Sequence, residues 1–403
     1  MTASTVVTGL GVVAPNGLGL QDYWAATLGG KHAIGRITRF DPTDYPARLA
    51  GQIDGFEAER LLPSRLLPQT DRVTRLALVA ADWALADAGA DPASLPAFDM
   101  GVITASAAGG FEFGQGELQA LWSQGSQYVS AYQSFAWFYA VNSGQISIRN
   151  GMKGPAGVVV SEGAGGLDAV AQARRQIRKG TPLIVTGAVD ASLCPWGWVA
   201  QLAGGKLSTS DEPDHAYLPF DRDAHGFVPG EGGAILIAED ATAARTRGAR
   251  PYGEIAGYGA TLDPRPGSGR EPGLRKAIEI ALADAHLDAN DIDVVFADGA
   301  GDPAGDLAEA DAISAVFGDR GVAVTVPKTM TGRLYSGGAP LDLAAAFLAL
   351  RDGVIPPTVH IDPCADYPLD LVLGEPRPAP LRTALVLARG HGGFNSAMAV
   401  RAV

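Results

Sequence analysis

One pattern occurs twice in this chain, and it constrains the fold more than any other feature. Residues 165–180 (GGLDAVAQARRQIRKG) and residues 337–353 (GGAPLDLAAAFLALRDG) each contain a glycine pair, a Leu-Asp step, an alanine-rich helical stretch and a closing glycine. Internal similarity between such distant segments indicates a duplicated fold. The small, basic, Gly/Pro-containing segment 243–251 is the expected boundary, which assigns residues 1–245 to a first half and 246–403 to a second.

Strands and helices alternate along both halves, which favours an α/β fold. Apolar runs that are rich in β-branched residues or end at turn residues predict strands at 4–15, 100–106, 156–161, 182–192, 251–260, 293–301, 322–329 and 384–393. Of these, 100–106 and 156–161 are predicted to be buried strands. Apolar residues at helical spacing predict helices at 72–89, 167–180, 274–287 and 340–353.

Composition excludes several classes of protein. The 403 residues are 47% hydrophobic and 19% charged, which is typical of a well-buried globular chain. The longest apolar runs are too short to span a bilayer, and the N-terminus lacks the pattern of a signal peptide, so we expect a cytoplasmic protein without a membrane anchor. The net charge of −13 disfavours nucleic acid as a partner. Two cysteines, Cys194 and Cys364, do not suffice for a disulfide framework or a zinc cluster.

Two motifs suggest ligands but are better explained by structure. Thr8–Ala14 (TGLGVVA) matches a dinucleotide-binding pattern after a strand, yet a Pro-Asn-Gly turn follows at once, so no helix begins where a pyrophosphate needs one. Phe296–Ile313 carries five acidic residues, but its spacing does not match a calcium loop. A helix capped by Asp306, with Glu309 three residues later, is the preferred interpretation.

A basic segment, Ala173–Gly180 (ARRQIRKG), has two interpretations. It is either a patch that docks an acidic carrier protein or an ordinary solvated helix face, and the second interpretation is preferred.

The segment Val158–Val170 (VVVSEGAGGLDAV) predicts a sharp strand-to-helix corner, a shape that can project a nucleophile. The corner holds Gly163, however, and no cysteine lies nearby.

The order and the residue sequences of these segments resemble those of the β-ketoacyl-acyl-carrier-protein synthases of the thiolase fold over nearly the whole chain. The resemblance implies a duplicated α/β fold of αβαβα layers, with 1–245 as the N-terminal and 246–403 as the C-terminal ketosynthase-like half. An active family member has a cysteine at the corner, a histidine after the first strand pair of the second half, a lysine, and a second histidine five residues after the lysine. The matching positions in this sequence are Gly163, Asp298, Lys328 and Arg333.

Three of these four catalytic groups are missing, so we expect no catalytic residue in this chain. Gly163 has no side chain to accept an acyl group. Asp298 is normally an anion and would repel the negative charge that develops during condensation. The six histidines lie elsewhere in the sequence, and only His391 is expected to approach the site: His32, His215, His225, His286, His360 and His391.

The pattern resembles most closely the chain-length factors, or ketosynthase β-subunits, of type II aromatic polyketide synthases. Residues 109–155, 194–210 and 327–346 carry this resemblance. It implies a heterodimer with a cysteine-bearing ketosynthase α-subunit that elongates malonyl units into a poly-β-ketone for antibiotic biosynthesis. It implies that the chain binds no cofactor or metal of its own, because the substrates are carried on the phosphopantetheine of an acyl carrier protein. Many such factors have glutamine at the corner; Gly163 lacks that amide, so decarboxylation is not assigned to this chain.

The resemblance also places a product tunnel at the subunit interface. Its expected wall and end residues are Gly109, Gly110, Phe113, Gly116, Phe135, Phe138 and Trp196.

Two alternatives remain open at this point. A self-sufficient condensing enzyme would need Ser161 or Cys194 as an unusual nucleophile. A stand-alone acyl-binding scaffold would need no partner and no nucleophile.

Overall fold

The computed structural model describes residues 4–265, 267–362 and 367–403, and Cys364 lies outside these described residues. The strands are β1 (Thr5–Ala14), β2 (Gly17–Leu18), β3 (Ile34–Arg36), β4 (Leu49–Gly51), β5 (Met100–Ala105), β6 (Ala156–Val159), β7 (Leu183–Asp190), β8 (Gly232–Asp240), β9 (Gly253–Leu262), β10 (Val294–Phe296), β11 (Ala323–Thr325), β12 (Val354–Ile355), β13 (Asp370–Leu371), β14 (Arg377–Pro378), β15 (Thr383–Gly390) and β16 (Phe394–Arg401).

The helices of the described residues are α1 (Leu20–Leu28), α2 (Ala58–Leu61), α3 (Arg72–Asp87), α4 (Phe111–Gln124), α5 (Gln133–Ala136), α6 (Val141–Asn150), α7 (Gly165–Arg178), α8 (Pro195–Leu202), α9 (Ala241–Thr246), α10 (Leu274–Ala285), α11 (Pro303–Phe317) and α12 (Gly338–Asp352). Short 3₁₀ turns occupy several of the connections.

Strand order confirms the duplication. In the first half the main strands run β1–β8–β7–β5–β6, and in the second they run β9–β16–β15–β10–β11. Numbered within each half, both sequences are first, fifth, fourth, second and third. The halves meet where β1 and β9 pair, through two residue pairs only: Val6 with Glu254 and Val7 with Gly253.

Helices and strands form five layers, as the predicted αβαβα fold requires. Helix α3 packs on β1 and β8 on one outside face, and α10 packs on β9 and β16 on the other. Helices α7 and α12 lie between the two halves and contact strands of both. Every residue from Gly338 to Leu350 of α12 is buried, which explains why that helix is apolar all round.

The glycines of the TGLG motif serve this packing. Gly9 and Gly11 lie in β1, where a Cβ on either one would overlap a carbonyl oxygen of α3. Gly257 and Gly259 in β9 face α10 in the same way. The repeated Gly-x-Gly therefore lets an outer helix approach the first strand of each half, and β1 continues to Ala14 without starting a helix.

One local prediction is wrong, and another is confirmed in part. Helix α11 begins at Pro303 and is capped by Asp302, whose side chain accepts from the Gly305 N–H, because proline fits the first helical turn. Asp306 is instead buried inside the helix and accepts from the Phe220 and Gly301 amides at 3.0 Å. In the basic segment, Arg175, Arg178 and Lys179 are exposed, as the preferred solvated face requires, whereas Arg174 is buried and paired with Asp284.

Within the described residues, none of the helices has the length and apolar character that a bilayer crossing requires. Helix α9 ends at Thr246 and β9 begins at Gly253. The division of the chain at residue 245 stays a prediction.

Candidate functional site

The strand-to-helix corner forms as predicted. Strand β6 ends at Val159, a 3₁₀ turn covers Glu162–Ala164, and α7 begins at Gly165. Glu162 has a φ of +49°, a conformation that is uncommon for residues other than glycine and marks the corner as strained. Ser161 is buried and its hydroxyl donates to Asp168, so it is directed away from the corner.

Gly163 has no room for a side chain. A Cβ at this position would overlap the carbonyl oxygen of Arg389, and Gly390 lies beyond it. Strand β15 therefore closes directly over the corner. The absence of a nucleophile is coupled to the loss of the space that a nucleophile would occupy.

Asp298 and Arg333 form an ion pair at the two predicted histidine positions. Arg333 Nη1 lies 2.8 Å from Asp298 Oδ2, and Arg333 Nη2 lies 3.0 Å from Asp298 Oδ1. This bidentate geometry is the strong form of an arginine–carboxylate pair. Opposite charges thus replace the two histidines with one structural contact.

The terminal nitrogens of Arg333 also donate to backbone carbonyls. Nη1 donates to the Gly299 carbonyl at 2.8 Å, and Nη2 donates to the Arg389 carbonyl at 3.2 Å. The guanidinium lies 5.4 Å from the centre of the Phe227 ring. The Arg389 amide in turn donates to Asp298 Oδ1 at 3.1 Å. Both terminal nitrogens of Arg333 therefore bind protein atoms.

Electrostatics keep this pair charged. Burial alone would raise the pKa of Asp298, but the charges of Arg333, Lys328 and Arg389 outweigh burial and hold that pKa below its usual range. Burial, together with the Asp298 charge, raises the pKa of Glu309, which accepts from the Asp298 and Gly299 amides at 2.7 and 2.9 Å.

Lys328 is tied to the fold rather than presented to a substrate. Its Nζ lies 2.5 Å from Asp342 Oδ2, on the buried helix α12, and donates to the Ala297 carbonyl at 2.9 Å. The lysine side chain is buried.

The structure brings the four predicted positions together around one small cavity. Gly163, Asp298, Lys328 and Arg333 all line it, and its volume is about 20 Å³. That volume holds about one water molecule. The site cannot hold an acyl thioester in this conformation.

The glycines of the predicted tunnel lie in two different settings. Gly109 and Gly110 are buried against the backbone of Ala136 and Trp137, where a Cβ on either glycine would overlap a carbonyl oxygen. Gly116 is exposed on α4, with no atom within 4 Å of a Cβ built on it.

The aromatic residues of the predicted tunnel lie on the same side of the molecule as α4. Phe113 is half-buried, and its amide donates to Asp71 Oδ2 at 2.7 Å. Phe135 is half-buried, whereas Phe138 and Trp196 are exposed. In the single chain these residues border open surface, so their role as tunnel walls stays a prediction.

The alternative nucleophiles do not reach the cavity. Cys194 caps α8 by accepting from the Gly197 amide at 3.5 Å. Burial raises the pKa of the Cys194 thiol to about 11, so it is protonated near pH 7. The His391 side chain is exposed, and only its backbone N–H contacts the corner, at 2.7 Å from Glu162 Oε2.

The sequence predictions treated the missing catalytic groups separately and did not include a contact between Asp298 and Arg333. The signal was present, since an acidic residue and a basic residue replace two histidines. The contribution of Arg389 could not be seen, because its backbone carbonyl, rather than its side chain, closes the corner.

Comparison with known families agrees with the fold. The profile "Beta-ketoacyl synthase, N-terminal domain" matches residues 3–243, and the profile "Beta-ketoacyl synthase, C-terminal domain" matches residues 252–362.

Two curated relatives match almost end to end. The actinorhodin polyketide β-ketoacyl synthase 2 of Streptomyces coelicolor is 62% identical over 99% of this chain and 98% of its own. The tetracenomycin polyketide synthase ketoacyl synthase β subunit of Streptomyces glaucescens is 59% identical over the same shares.

Solved structures share the architecture over their whole length. The ishigamide ketosynthase/chain length factor superposes with a TM-score of 0.92 at 26% identity and covers 100% of both chains. A type II polyketide synthase acyl-carrier protein in complex with its ketosynthase, bound to the hexaketide, gives a TM-score of 0.88 at 26% identity, again over 100% of both chains.

Restoring the corner cysteine is expected to disturb the fold. In Gly163→Cys the new Cβ displaces the Arg389 carbonyl, and such overpacking costs about 1–3 kcal/mol. Gly144→Cys is the matched control, because a Cβ on Gly144 meets no atom within 4 Å. We expect Gly163→Cys to unfold at a lower temperature than Gly144→Cys and its thiol to react more slowly with iodoacetamide. Equal midpoints and equal alkylation rates would show that the corner is open.

The Asp298–Arg333 pair is expected to act as one unit. Removing either partner leaves a buried charge, so Arg333→Ala and Asp298→Asn should each lower the free energy of unfolding by about 3–5 kcal/mol, with the double variant losing less than the sum. Because the pKa of Asp298 is depressed, the pair contributes fully above about pH 4 and is lost as the pH falls further. Chemical denaturation at several pH values measures both effects.

Arg60→Ala is the control for the Asp298 and Arg333 variants. It breaks an exposed pair with Glu57 and should change the free energy of unfolding by at most about 1 kcal/mol. Strictly additive losses for Asp298 and Arg333 would contradict the pairing.

Proposed function

This chain belongs to the β-ketoacyl synthase family, and from that membership we propose that it acts in the cytoplasm as the chain-length-determining, non-catalytic subunit of a type II polyketide synthase. Its partner is a cysteine-bearing ketosynthase, and the pair elongates malonyl units into a poly-β-ketone during antibiotic biosynthesis. The relatives named as β subunits and as a ketosynthase/chain length factor support this assignment.

One observation carries the proposal. The fold of a condensing enzyme is intact, but its reaction site is filled by the Asp298–Arg333 pair and closed by the Arg389 carbonyl. A chain in this state cannot accept an acyl group, so the nucleophile must come from another chain.

The free edge of the main sheet supports the proposal of a partner chain. Strand β6 is the last strand of the sheet and pairs only with β5 on its inner side. The Pro155 carbonyl accepts from Val102 of β5, and the Val159 carbonyl accepts from Ser106 directly after β5. Strand alternation therefore directs the N–H and C=O groups of Ala156, Val158 and Val160 outward. An edge of this kind is a template for a strand of another chain.

Helix α4 and the segments that pack on it carry a strongly apolar surface. Trp122 on α4 is 83% exposed, and α4 packs against α5 and α8. Further large apolar side chains exposed in this part of the chain are Leu118, Tyr128, Tyr132, Trp137, Phe138, Ile148, Val160, Trp196 and Val199. Exposed apolar surface of this extent marks an interaction site.

The product tunnel is proposed at the same surface. A groove of about 710 Å³ is lined by Leu118, Trp122 and Trp196, among others, and it is open in the single chain. A partner that covers the α4 surface would turn this open groove into an enclosed space. Of the predicted tunnel residues, Trp196 lines this groove. We propose that it limits the length of the growing chain together with residues outside the groove's lining: Phe113, Phe135, Phe138, Gly109, Gly110 and Gly116.

Substrates are proposed to arrive on an acyl carrier protein, bound through its phosphopantetheine. The solved complex of an acyl-carrier protein with its ketosynthase supports this route. The basic segment of α7 contributes less to such docking than its sequence suggests, because Arg174 is buried and paired with Asp284.

Blocking the outer edge of β6 should prevent assembly. In Val158→Pro the outward N–H is removed, while the inward hydrogen bonds to β5 remain. We expect this variant to lose the ketosynthase during co-purification and to give no polyketide from malonyl-loaded carrier protein. Val158→Thr, which keeps the N–H, should co-purify and retain the wild-type product.

This chain alone should give no product above a no-protein control. Polyketide from the isolated chain would instead support the self-sufficient enzyme. Full activity of Val158→Pro would show that the partner binds elsewhere.

Tunnel volume should set the product. Each ketide unit adds two backbone carbons, and close-packed interiors accept little extra volume. Phe113→Ala and Phe135→Ala should therefore lengthen the polyketide by about one unit at most, whereas Gly116→Leu should shorten it; overfilling a packed site costs roughly 1–3 kcal/mol. Mass spectrometry of products from the reconstituted pair is the measurement. If every variant that assembles gives a polyketide of wild-type length, the limit on product length lies in the partner.

A further inference from the structure

Three side chains with metal-binding groups converge at a place that the proposed function does not use. His32 lies between α1 and β3, Asp214 lies in the 3₁₀ turn Pro213–His215, and His360 follows β12. None of the three lines the small cavity at Gly163. One donor atom from each lies within 4.8 Å of the others.

The distances within this cluster suit a single ion. His32 Nδ1 lies 3.3 Å from Asp214 Oδ1, and His360 Nε2 lies 3.6 Å from the same oxygen. Two ligands of a tetrahedral zinc ion with bonds of about 2.0–2.1 Å lie about 3.3–3.4 Å apart. The two contacts to Asp214 Oδ1 therefore match this spacing to within a few tenths of an ångström, and the donor atoms of the two histidines lie within 4.8 Å of each other.

Backbone contacts hold both histidines beside the same turn. Next to His32, the Ala33 amide donates to the Met330 carbonyl at 2.8 Å. Next to His360, the Val359 amide donates to the Thr329 hydroxyl at 3.1 Å. Neighbouring residues of one 3₁₀ turn, Pro327–Met330, thus position both ligands.

The conformation of His360 adds a second observation. Its φ of +64° lies in the left-handed region, which residues other than glycine rarely adopt. Strain of this kind persists where the surroundings fix it and is concentrated at ligand sites. The two imidazole rings contact edge-on with centroids 4.6 Å apart.

We propose that His32, Asp214 and His360 bind one divalent transition-metal ion of the zinc type. Two imidazoles and a carboxylate suit zinc and its neighbours better than magnesium or calcium, which prefer oxygen ligands. The Asp214 side chain is 65% exposed, so water completes the coordination. The ion links segments from both halves of the chain and supports the turn that carries Lys328.

Metal titration tests this site in the full-length chain after chelator treatment. Zn²⁺ binding is measured by calorimetry, and Co²⁺ is used as a probe because its visible absorption reports coordination. Wild type should bind one equivalent and unfold at a higher temperature with Zn²⁺ than without it. His360→Asn and Asp214→Asn should bind at least about 100-fold more weakly, since loss of an outer partner alone costs roughly 10–100-fold.

The matched control is His215→Asn, which changes an exposed histidine on the same turn as Asp214 but outside the cluster. It should bind Zn²⁺ like wild type. Asp214→Asn keeps the test decisive if His360→Asn does not fold, because Asp214 is largely exposed. The site is excluded if wild type binds no ion or if Asp214→Asn binds as tightly as His215→Asn.

Discussion

The packing of α7 against α12 determines where the remaining parts of the site must lie. Both helices occupy the middle layer, and Gly166 of α7 faces Pro340 and the Ser336 carbonyl so closely that no side chain fits between them. Because the two helices are equivalent elements of a duplicated fold, their N-terminal ends lie side by side. The segments that precede them, Glu162–Ala164 and Lys328–Gly337, are therefore forced together. The small cavity of this chain lies where the two segments meet.

This chain fills the pocket with charge rather than with apolar side chains. Burying a carboxylate and a guanidinium costs several kcal/mol each, and their attraction offsets that cost only if the other polar atoms are also bound. Here Asp298 also accepts from the Arg389 amide, and Arg333 also donates to the Gly299 and Arg389 carbonyls. The pair therefore fastens β15 to the loops after β10 and β11, which requires both charges to be present together.

The fold could be predicted from the sequence to a large extent, because duplication and strand–helix alternation are patterns of residue type. The corner, most of the strands and the four long predicted helices follow from them, but the segment 156–161, predicted as a buried strand, forms the partly exposed edge strand β6. The start of α11 could not be read in the same way, since Asp302 and Asp306 are both plausible caps and only burial of Asp306 decides between them. The closure of the corner depends on a backbone carbonyl, and the His32–Asp214–His360 cluster depends on loops that meet only in three dimensions. No local pattern encodes either one.

Filling the pocket has a consequence for the proposed heterodimer. An open pocket that merely lacked a thiol would still offer space to a malonyl or acyl group and would bind it without reaction. A cavity of about 20 Å³ excludes such groups. Carrier-bound intermediates are then left to the thiolate of the partner, while the apolar α4 surface of this chain stays available to the growing product. Loss of the nucleophile and closure of its pocket thus work in the same direction: they separate bond formation from control of length.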